Sequence, residues 1–537
     1  RLDFAKINLE KTDSQPLYRQ LAEQLKKAIR QGDLRSGEKL PPIRAWKETL
    51  AISPVTATQA YELLGEDGYA VGQVGRGTFA RLPQPDKPAL ASIPPAPPAE
   101  VPAVTPRSTF PAASFGFPDY YKSSRSALVQ RASNASIGRH QGAGGSDLII
   151  LTSGGPAQEL FKIDRWKTAM QLAGESLERE SQLYGNAQFQ YGSALGDPAT
   201  RQWLAGYLSR FGFQPDPDEI LLTTGSQQTL DILSRVLAGP GDYMLVESPS
   251  YVSALEIFEN RGVNWLPLPL DDQGISPEQV ERLADRYRPR LLYTIPTAQS
   301  PTGITLSTER RKQLVELADR YNFWIIEDDT CNEYYYESDA FLPAIKSYDR
   351  AERVIYLKSF SKLIFPAVRF GLVTAQKPLM ERLSEAKAVF DRGISLPLAR
   401  AVMKYAGTPV FEREVSAARQ VYSERRAAII AGFEAELAPL GCSWSKCEAG
   451  FSLQLTLPED IRSDEFHLAA AEHGVAVLPG PIYYPVLNES RLNTVRVSFG
   501  DNAPERLREA CRRLGLALNA LRRKTFVPSG TPVITVV

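Results

Sequence analysis

A chain of 537 residues exceeds what one ordinary hydrophobic core organises, so two or more domains are expected. Hydrophobic residues at 43% supply a large core, and 62 basic against 62 acidic residues leave a formal net charge of zero. That balance excludes a polycation and confines any nucleic-acid binding to a local surface. Cys331, Cys442, Cys447 and Cys511 match no zinc-finger spacing, which fits a reducing compartment and gives no metal site. No apolar run of about 18 residues is available to cross a membrane, and Arg1-Leu2-Asp3-Phe4 opens no signal-peptide stretch. A cytoplasmic location is therefore expected.

In chain order, Leu17, Leu21, Leu25, Ala28 and Ile29 recur at helical spacing, and Gly32 stops the pattern. Residues 43–50 predict a short second helix. A third is predicted over 54–64, with Ser53 as N-cap and Pro54 at its first position. Residues 69–71 and 78–80 then read as two strands around a glycine-bounded turn. Three helices followed by a β-wing predict a winged helix-turn-helix over residues 1–82. The next stretch, 83–111, reads PQPDKPALASIPPAPPAEVPAVTPRSTFP. Dense proline blocks helices and favours extended polyproline II, so a semi-rigid linker is expected.

Beyond the linker, apolar β runs at 220–223, 243–246, 291–295, 323–326 and 354–357 are each followed by a helical pattern. Short apolar strands alternating with helices predict an α/β domain with a mostly parallel sheet. From about Val410 the pattern changes to a long helix through Arg426 and shorter strands at 451–455 and 494–499, which predicts a small α+β subdomain. The large domain is expected over 112–524, with 525–537 a tail of no assigned role.

Residues 16–82 resemble the GntR-type winged helix in its MocR subfamily arrangement. Pro16-Leu17-Tyr18 and LPPIRAWKETLAISPVTATQAYELLGEDGYAVGQVGRGTFA, from Leu40 to Ala80, carry the resemblance. It implies binding to double-stranded promoter DNA, with the N-terminus of the third helix in the major groove and the wing on a flanking groove or phosphates. Arg44, Thr56, Thr58 and Arg76 would then face DNA. The family often has Arg after the N-cap, where this chain has Pro54. No basic residue lies between Ser53 and Leu64, so that helix is left with hydroxyl, amide and helix-dipole contacts.

Roughly residues 145–520 resemble fold-type I aminotransferases, which bind pyridoxal 5'-phosphate, through several motifs in family order. TTGSQQTLDIL implies a phosphate site at Gly225, Ser226 and Gln227. VESPSYVSAL implies that Tyr251 stacks on the pyridine ring. IIEDDTCNEYYY implies that Asp328, rather than Asp329, pairs with the ring nitrogen. YLKSFSKLIFPAVRFG implies that Lys362 is the Schiff-base lysine, with Ser359 and Arg369 on the phosphate. TVRVSFG implies that Arg496 takes the carboxylate of an amino-compound effector.

Two positions depart from the family together. YTIPTAQSPTG has Ser300 where the family has Asn, and Thr330-Cys331 stand where it has Tyr. In the family both positions donate to the phenolic oxygen of the cofactor, so two donors are altered together here, and the tyrosines return only at Tyr334, displaced. The resemblance implies a homodimeric regulator that senses a small amino compound or the cofactor itself. A pyridoxal-phosphate-dependent aminotransferase with a vestigial DNA-binding module, or a decayed site kept as a dimerisation scaffold, remains as an alternative.

Overall fold

The computed structural model describes residues 3–4, 7–10, 15–73, 77–82, 125–142, 147–486 and 492–524. Arg76, the 83–111 linker and the 525–537 tail lie outside the described residues. The chain divides into two compact units, residues 1–115 and 116–537.

In the first unit, α1 (Leu17–Gln31) ends where Gly32 adopts a left-handed conformation, φ 79°, and its N–H bonds to the Ile29 carbonyl. Helix α2 (Ala45–Leu50) is short. Helix α3 (Pro54–Glu66) starts where the Ser53 side chain accepts the Thr56 N–H, with Pro54 in the first turn. Strands β1 (Ala70–Gln73) and β2 (Gly77–Ala80) pair antiparallel as the wing. Leu21, Leu25, Ile29, Trp46, Ala57, Ala60 and Leu64 form one core. Trp46 is wholly buried, and its indole donates to the Tyr61 hydroxyl at 2.7 Å.

The second unit opens with α4 (Arg125–Gly142), β3 (Ile149–Ile150), α5 (Ile163–Tyr184) and α6 (Pro198–Leu208). Strands and helices then alternate: β4 (Ile220–Thr223), α7 (Ser226–Leu237), β5 (Tyr243–Ser248), α8 (Val252–Glu259), β6 (Asn264–Asp271), β7 (Gly274–Ile275), α9 (Pro277–Tyr287), β8 (Leu291–Thr294), α10 (Thr308–Tyr321), β9 (Trp324–Asp329), β10 (Val354–Ser359), β11 (Gly371–Thr374) and α11 (Lys377–Phe390). The sheet order is β4-β11-β10-β9-β8-β5-β6-β7. Strands β10, β9, β8, β5 and β6 run parallel, and β11 is antiparallel to both neighbours. Alternate residues feed cores on opposite faces: Met244, Val246, Tyr293 and Ile326 on one, Leu245, Leu292 and Ile325 on the other. This is the mostly parallel α/β sheet that the apolar runs predict.

Helices α12 (Leu396–Ala406) and α13 (Pro409–Glu436) lead to the smaller part. There β12 (Ser443–Trp444), β13 (Ser452–Thr456), β15 (Leu478–Pro479) and β16 (Thr494–Ser498) form an antiparallel sheet in the order β12-β13-β16-β15. It is accompanied by α14 (Ser463–Glu472) and α15 (Pro504–Lys524), while β14 (Val475–Ala476) pairs with β3. The expectation that the long helix stops near Arg426 falls short by about three turns, because Ala428, Ile429, Gly432 and Phe433 continue its buried face to Glu436. Gly432 blurs that signal. A Cβ there would lie 2.5 Å from Cys511 Sγ, so the glycine serves close helix packing.

Candidate functional site

Strand ends and the turns that leave them bring the motifs together. Ser226, Gln227, Tyr251, Ser300, Asp328, Ser359, Lys362, Arg369 and Arg496 all line one cavity of about 410 Å³. Gly225 lies at its edge, as the N-cap of α7.

Asp328 and Asp329 are neighbours at the end of β9, and strand alternation sends their side chains to opposite faces. Asp329 accepts from Tyr356 at 2.8 Å and from Lys358 at 3.2 Å. Lys358 also binds Glu333 at 2.8 Å, and Tyr207 donates to Glu333 at 2.8 Å. Those charges are committed inside the core. Asp328 lines the cavity instead: its Oδ2 accepts from Tyr293 at 2.7 Å, while its buried Oδ1 has no partner. Burial pushes its carboxyl up to about 7.

The turn between β4 and α7 has features that suit an anion. The first N–H groups of α7 have no helical partner, and the helix dipole points its positive end there. Gly225 has φ 112°, and a Cβ on it would meet the Arg369 guanidinium at 3.1 Å, so glycine is needed for both reasons. Arg369 itself adopts a left-handed backbone, φ 47°, at the end of a short turn. Ser359 Oγ accepts the Ser361 N–H at 3.2 Å, and the buried Ser361 hydroxyl has no partner.

Lys362 is half-buried, and its ammonium is bonded to the Gly154 carbonyl. Burial, with the Arg496 and Arg369 charges beside it, holds its amine below the ordinary lysine range. Arg496 comes from the middle of β16 and donates to the carbonyls of Thr152 at 3.1 Å and Ser153 at 3.3 Å. Tyr483 lines the cavity with it, close enough for the guanidinium charge to act on its hydroxyl.

Cys331 also lines the cavity, and burial raises its thiol to about 11, so it is a neutral group there. The displaced Tyr334 turns away from the cavity: its hydroxyl donates to the main-chain carbonyl of Lys362 at 3.1 Å, and its ring packs edge-on against Tyr422. Gln299 steadies the Ser300 loop by bonding Glu247 at 3.0 Å and the Pro249 carbonyl at 2.8 Å.

Sequence reasoning missed Tyr293, Ser361, Gly154 and Tyr483. Tyr293 and Ser361 lie inside quoted motifs but read as strand core and turn. No sequence signal linked Gly154 or Tyr483 to Lys362 or Arg496.

The winged-helix residues occupy a different kind of surface. Arg44 is exposed at the start of α2, with Lys39 and Lys47 exposed nearby in sequence. Thr56 and Thr58 are half-buried. The Thr58 hydroxyl donates to the Pro54 carbonyl at 2.9 Å, and Thr56 Oγ1 lies 2.8 Å from Ser53 Oγ. Both hydroxyls therefore retain lone pairs for a further contact, with the Thr58 proton already used. Val55 is 67% exposed on the same turn.

Two family models match the chain: bacterial regulatory proteins of the gntR family at 17–80, and aminotransferase class I and II at 146–514. The chain is 27% identical to the probable rhizopine catabolism regulatory protein MocR of Rhizobium meliloti, over 97% of each protein. It is 32% identical to aromatic-amino-acid aminotransferase 1 of Thermococcus litoralis, over 71% of this chain and 90% of that enzyme. The crystal structure of the multiple substrate aminotransferase from Thermococcus profundus superposes with a TM-score of 0.68 at 30% identity, over 77% of this chain and 99% of that one.

A gntR-type winged helix joined to an aminotransferase fold defines a class: a DNA-binding transcriptional regulator built on a domain of the pyridoxal-phosphate type. The chain belongs to the aminotransferase class I and II family, in the arrangement shared by MocR-type regulators. Pyridoxal phosphate is the cofactor of this fold, and the unpartnered Asp328 oxygen, the glycine-walled anion turn and the lysine of lowered pKa fit it.

Proposed function

We propose that operator affinity of this chain answers to a small amino compound bound with pyridoxal phosphate in the cavity at Lys362. The unpartnered, buried Oδ1 of Asp328 carries this reading. A carboxylate oxygen without a donor is costly to bury, and a protonated ring nitrogen supplies the donor. Lys362 would hold the cofactor aldehyde, and Tyr251 the ring face. Gly225, Ser226, Gln227, Ser359 and Arg369 would hold the phosphate. Arg496 would take the effector carboxylate. When bound, the cofactor supplies a carbonyl that condenses with amines and a ring that withdraws electrons. Asp328 holds the ring proton, and the walls exclude water.

Binding switches DNA affinity only if the effector prefers one of two arrangements of the chain. Arg44, Thr56, Thr58 and Arg76 form the DNA-facing set, and residues 1–82, 83–111 and 112–524 act as reader, spacer and sensor, in the cytoplasm. A homodimer is supported by an exposed apolar run: Leu183, Tyr184, Phe189 and Tyr191, with Arg392 over the Tyr191 ring and Val389 and Phe390 adjacent to it in sequence. Two winged helices then meet two half-sites.

The test pairs a visible absorbance scan of the purified chain with a gel-shift titration on its own promoter, with and without amino compounds. A cofactor band and an effector-dependent shift in operator affinity are expected. A chain without the band, or one whose operator affinity ignores every amino compound, refutes the reading. Lys362 and Arg496, as well as the Thermococcus relative, favour a second reading as an aminotransferase. Ketoacid-dependent turnover on the order of 10 per second would establish it.

A further inference from the structure

Helix α3 carries two exposed residues that the DNA-facing set leaves out. Ala57, Ala60, Tyr61 and Leu64 turn inward to the core. Val55, Gln59, Glu62 and Glu66 recur at steps of four, three and four, so they share the opposite face, and all of them are exposed. Thr56 and Thr58 lie on the flanks of that face, half-buried and bonded within their own turn. The centre of the outward face in the first two turns therefore belongs to Val55 and Gln59.

Charge decides which end of this face meets DNA. Glu62 and Glu66 occupy its later turns, and no Lys or Arg lies between Ser53 and Glu66. Phosphates on either side of a groove repel those carboxylates. The helix is thus admitted by its N-terminal end, where unpaired N–H groups and the helix dipole favour phosphate and where the two uncharged side chains stand.

That end is held in shape. The Ser53 cap and Pro54 fix the first turn. Val55 is β-branched, and such a side chain has one strongly preferred rotamer in a helix. On the inner face the Tyr61 hydroxyl donates to the Pro41 carbonyl at 2.5 Å and accepts from the Trp46 indole at 2.7 Å. Those partners flank Arg44 in sequence, so a phosphate bound at Arg44 sets the register in which Val55 and Gln59 meet the bases.

The chemistry of the two side chains names what they read. The thymine methyl is an apolar group on a base edge in the major groove, and the valine methyls suit it. Adenine presents an acceptor, N7, beside a donor, the N6 amino group, and a glutamine amide answers both at once. The two positions are about 6 Å apart along the helix axis, close to two base-pair steps of about 3.4 Å, so both contacts fall within one short run of pairs. We propose, resting on the DNA-binding part of the reading above, that α3 selects half-sites with A·T pairs, through a thymine methyl on Val55 and an adenine edge on Gln59.

The experiment takes the full-length chain, purified with pyridoxal phosphate, and enriches duplexes from a pool with a randomised core. Each half-site of the enriched duplexes should carry fixed A·T pairs. In gel-shift titrations, uracil in place of the contacted thymine removes only the methyl and should weaken wild-type binding about 3-fold. Replacing the contacted adenine by 7-deazaadenine removes N7 and should weaken it about 10-fold. Val55→Ala should bind the uracil and thymine duplexes equally, and Gln59→Ala should do the same with 7-deazaadenine and adenine. Half-sites that fix only G·C pairs overturn the inference, and so do variants that keep the wild-type response to both analogues. A response to one analogue alone refutes the assignment of the residue whose analogue is silent. A wild-type chain that enriches and shifts no duplex defeats the DNA-binding reading itself, and the inference falls with it. The analogue series on the wild-type chain decides the question even if a variant fails to fold.

Discussion

The two units of this chain place their working residues in opposite physical settings. Around Lys362 the side chains converge on one cavity: Asp328 is braced by Tyr293 and Arg496 by the carbonyls of 152 and 153, and the Arg369 guanidinium lies close against Gly225. On the winged helix Arg44 is exposed, and the recognition helix offers hydroxyls already engaged in its own turn. An enclosed site draws much of its strength from preorganised charge in a low dielectric, whereas an exposed one depends on added phosphate contacts and on salt. Substitutions should therefore act sharply in the first and gradually in the second.

The largest effect is expected from Lys362→Ala. Borohydride should no longer fix the cofactor to the chain, while the winged helix, which has its own core, should still shift operator DNA at low salt. Peptide mapping after reduction checks the first point. A label on another lysine removes Lys362 from its assigned role.

Next comes the double change Ser300→Asn with Cys331→Tyr. Each wild-type residue stands where the resemblance implies a donor to the phenolic oxygen, and the Cys331 thiol is a weak, neutral group. Restoring both donors should raise half-transamination of amino acids by about 100-fold or more, since one well-placed donor contributes about 2.7–4 kcal/mol where charge develops. If wild-type turnover already reaches about 10 per second, the donors are dispensable and the aminotransferase reading leads.

Asp328→Asn separates stability from function. In the chain without cofactor, burial raises this carboxyl from 3.8 to about 7, so the folded state keeps a proton that the unfolded chain releases. Stability is unaffected by this group below its ordinary value, falls as pH rises from there to about 7, and stays low above. The asparagine variant loses that dependence. At pH 8 it should be about 1–3 kcal/mol more stable in urea than wild type when both lack cofactor. Its cofactor affinity should fall roughly 10- to 100-fold. A variant no more stable than wild type at pH 8 shows that the apo carboxyl is not strained.

These expectations also mark what the sequence made legible. The alternation of apolar runs with helices foretold β4, β5, β8, β9 and β10, because these strands are almost wholly buried and rich in Val, Ile and Leu, whereas β6, which alternates Leu with Pro and leaves residues exposed, gave no such run. The linear motifs foretold the cavity wall, because strand ends deliver adjacent residues to a fixed place. Tyr293 escaped notice because a buried tyrosine in a strand reads as core until its hydroxyl is seen on Asp328. Arg125 escaped because its five donors are met by residues more than 100 positions away, and nothing local records that. The proposed DNA-facing set gains least from the fold: Arg44 is exposed, and Thr56 and Thr58 bond only within their own turn.

Arg44→Ala should then show the gradual behaviour of the exposed site. Loss of one phosphate contact lowers the salt slope of operator binding by about one unit and weakens affinity about 10-fold. An unchanged gel-shift titration would displace the docking arrangement, and a loss confined to one base position would make Arg44 a base reader instead.

The smallest effect is expected from Ser53→Ala, and it tests whether the recognition helix itself is preorganised. Ser53 Oγ accepts the Thr56 N–H at 3.1 Å and lies 2.8 Å from Thr56 Oγ1, so one hydroxyl both caps α3 and orients a residue of the DNA-facing set. Alanine leaves the N–H to water and frees the Thr56 rotamer. Loss of such a cap costs about 1 kcal/mol, and Pro54, which presets the first turn, limits the fraying. The thermal transition of the winged helix should fall by a few degrees, and operator affinity should fall less than with Arg44→Ala, because no phosphate contact is removed. The salt slope should stay at its wild-type value. Threonine at this position keeps the oxygen and should restore both readings. If alanine instead lowers the slope or weakens binding beyond the arginine variant, Ser53 touches DNA directly, and the contact with the groove begins three residues earlier than Thr56 implies.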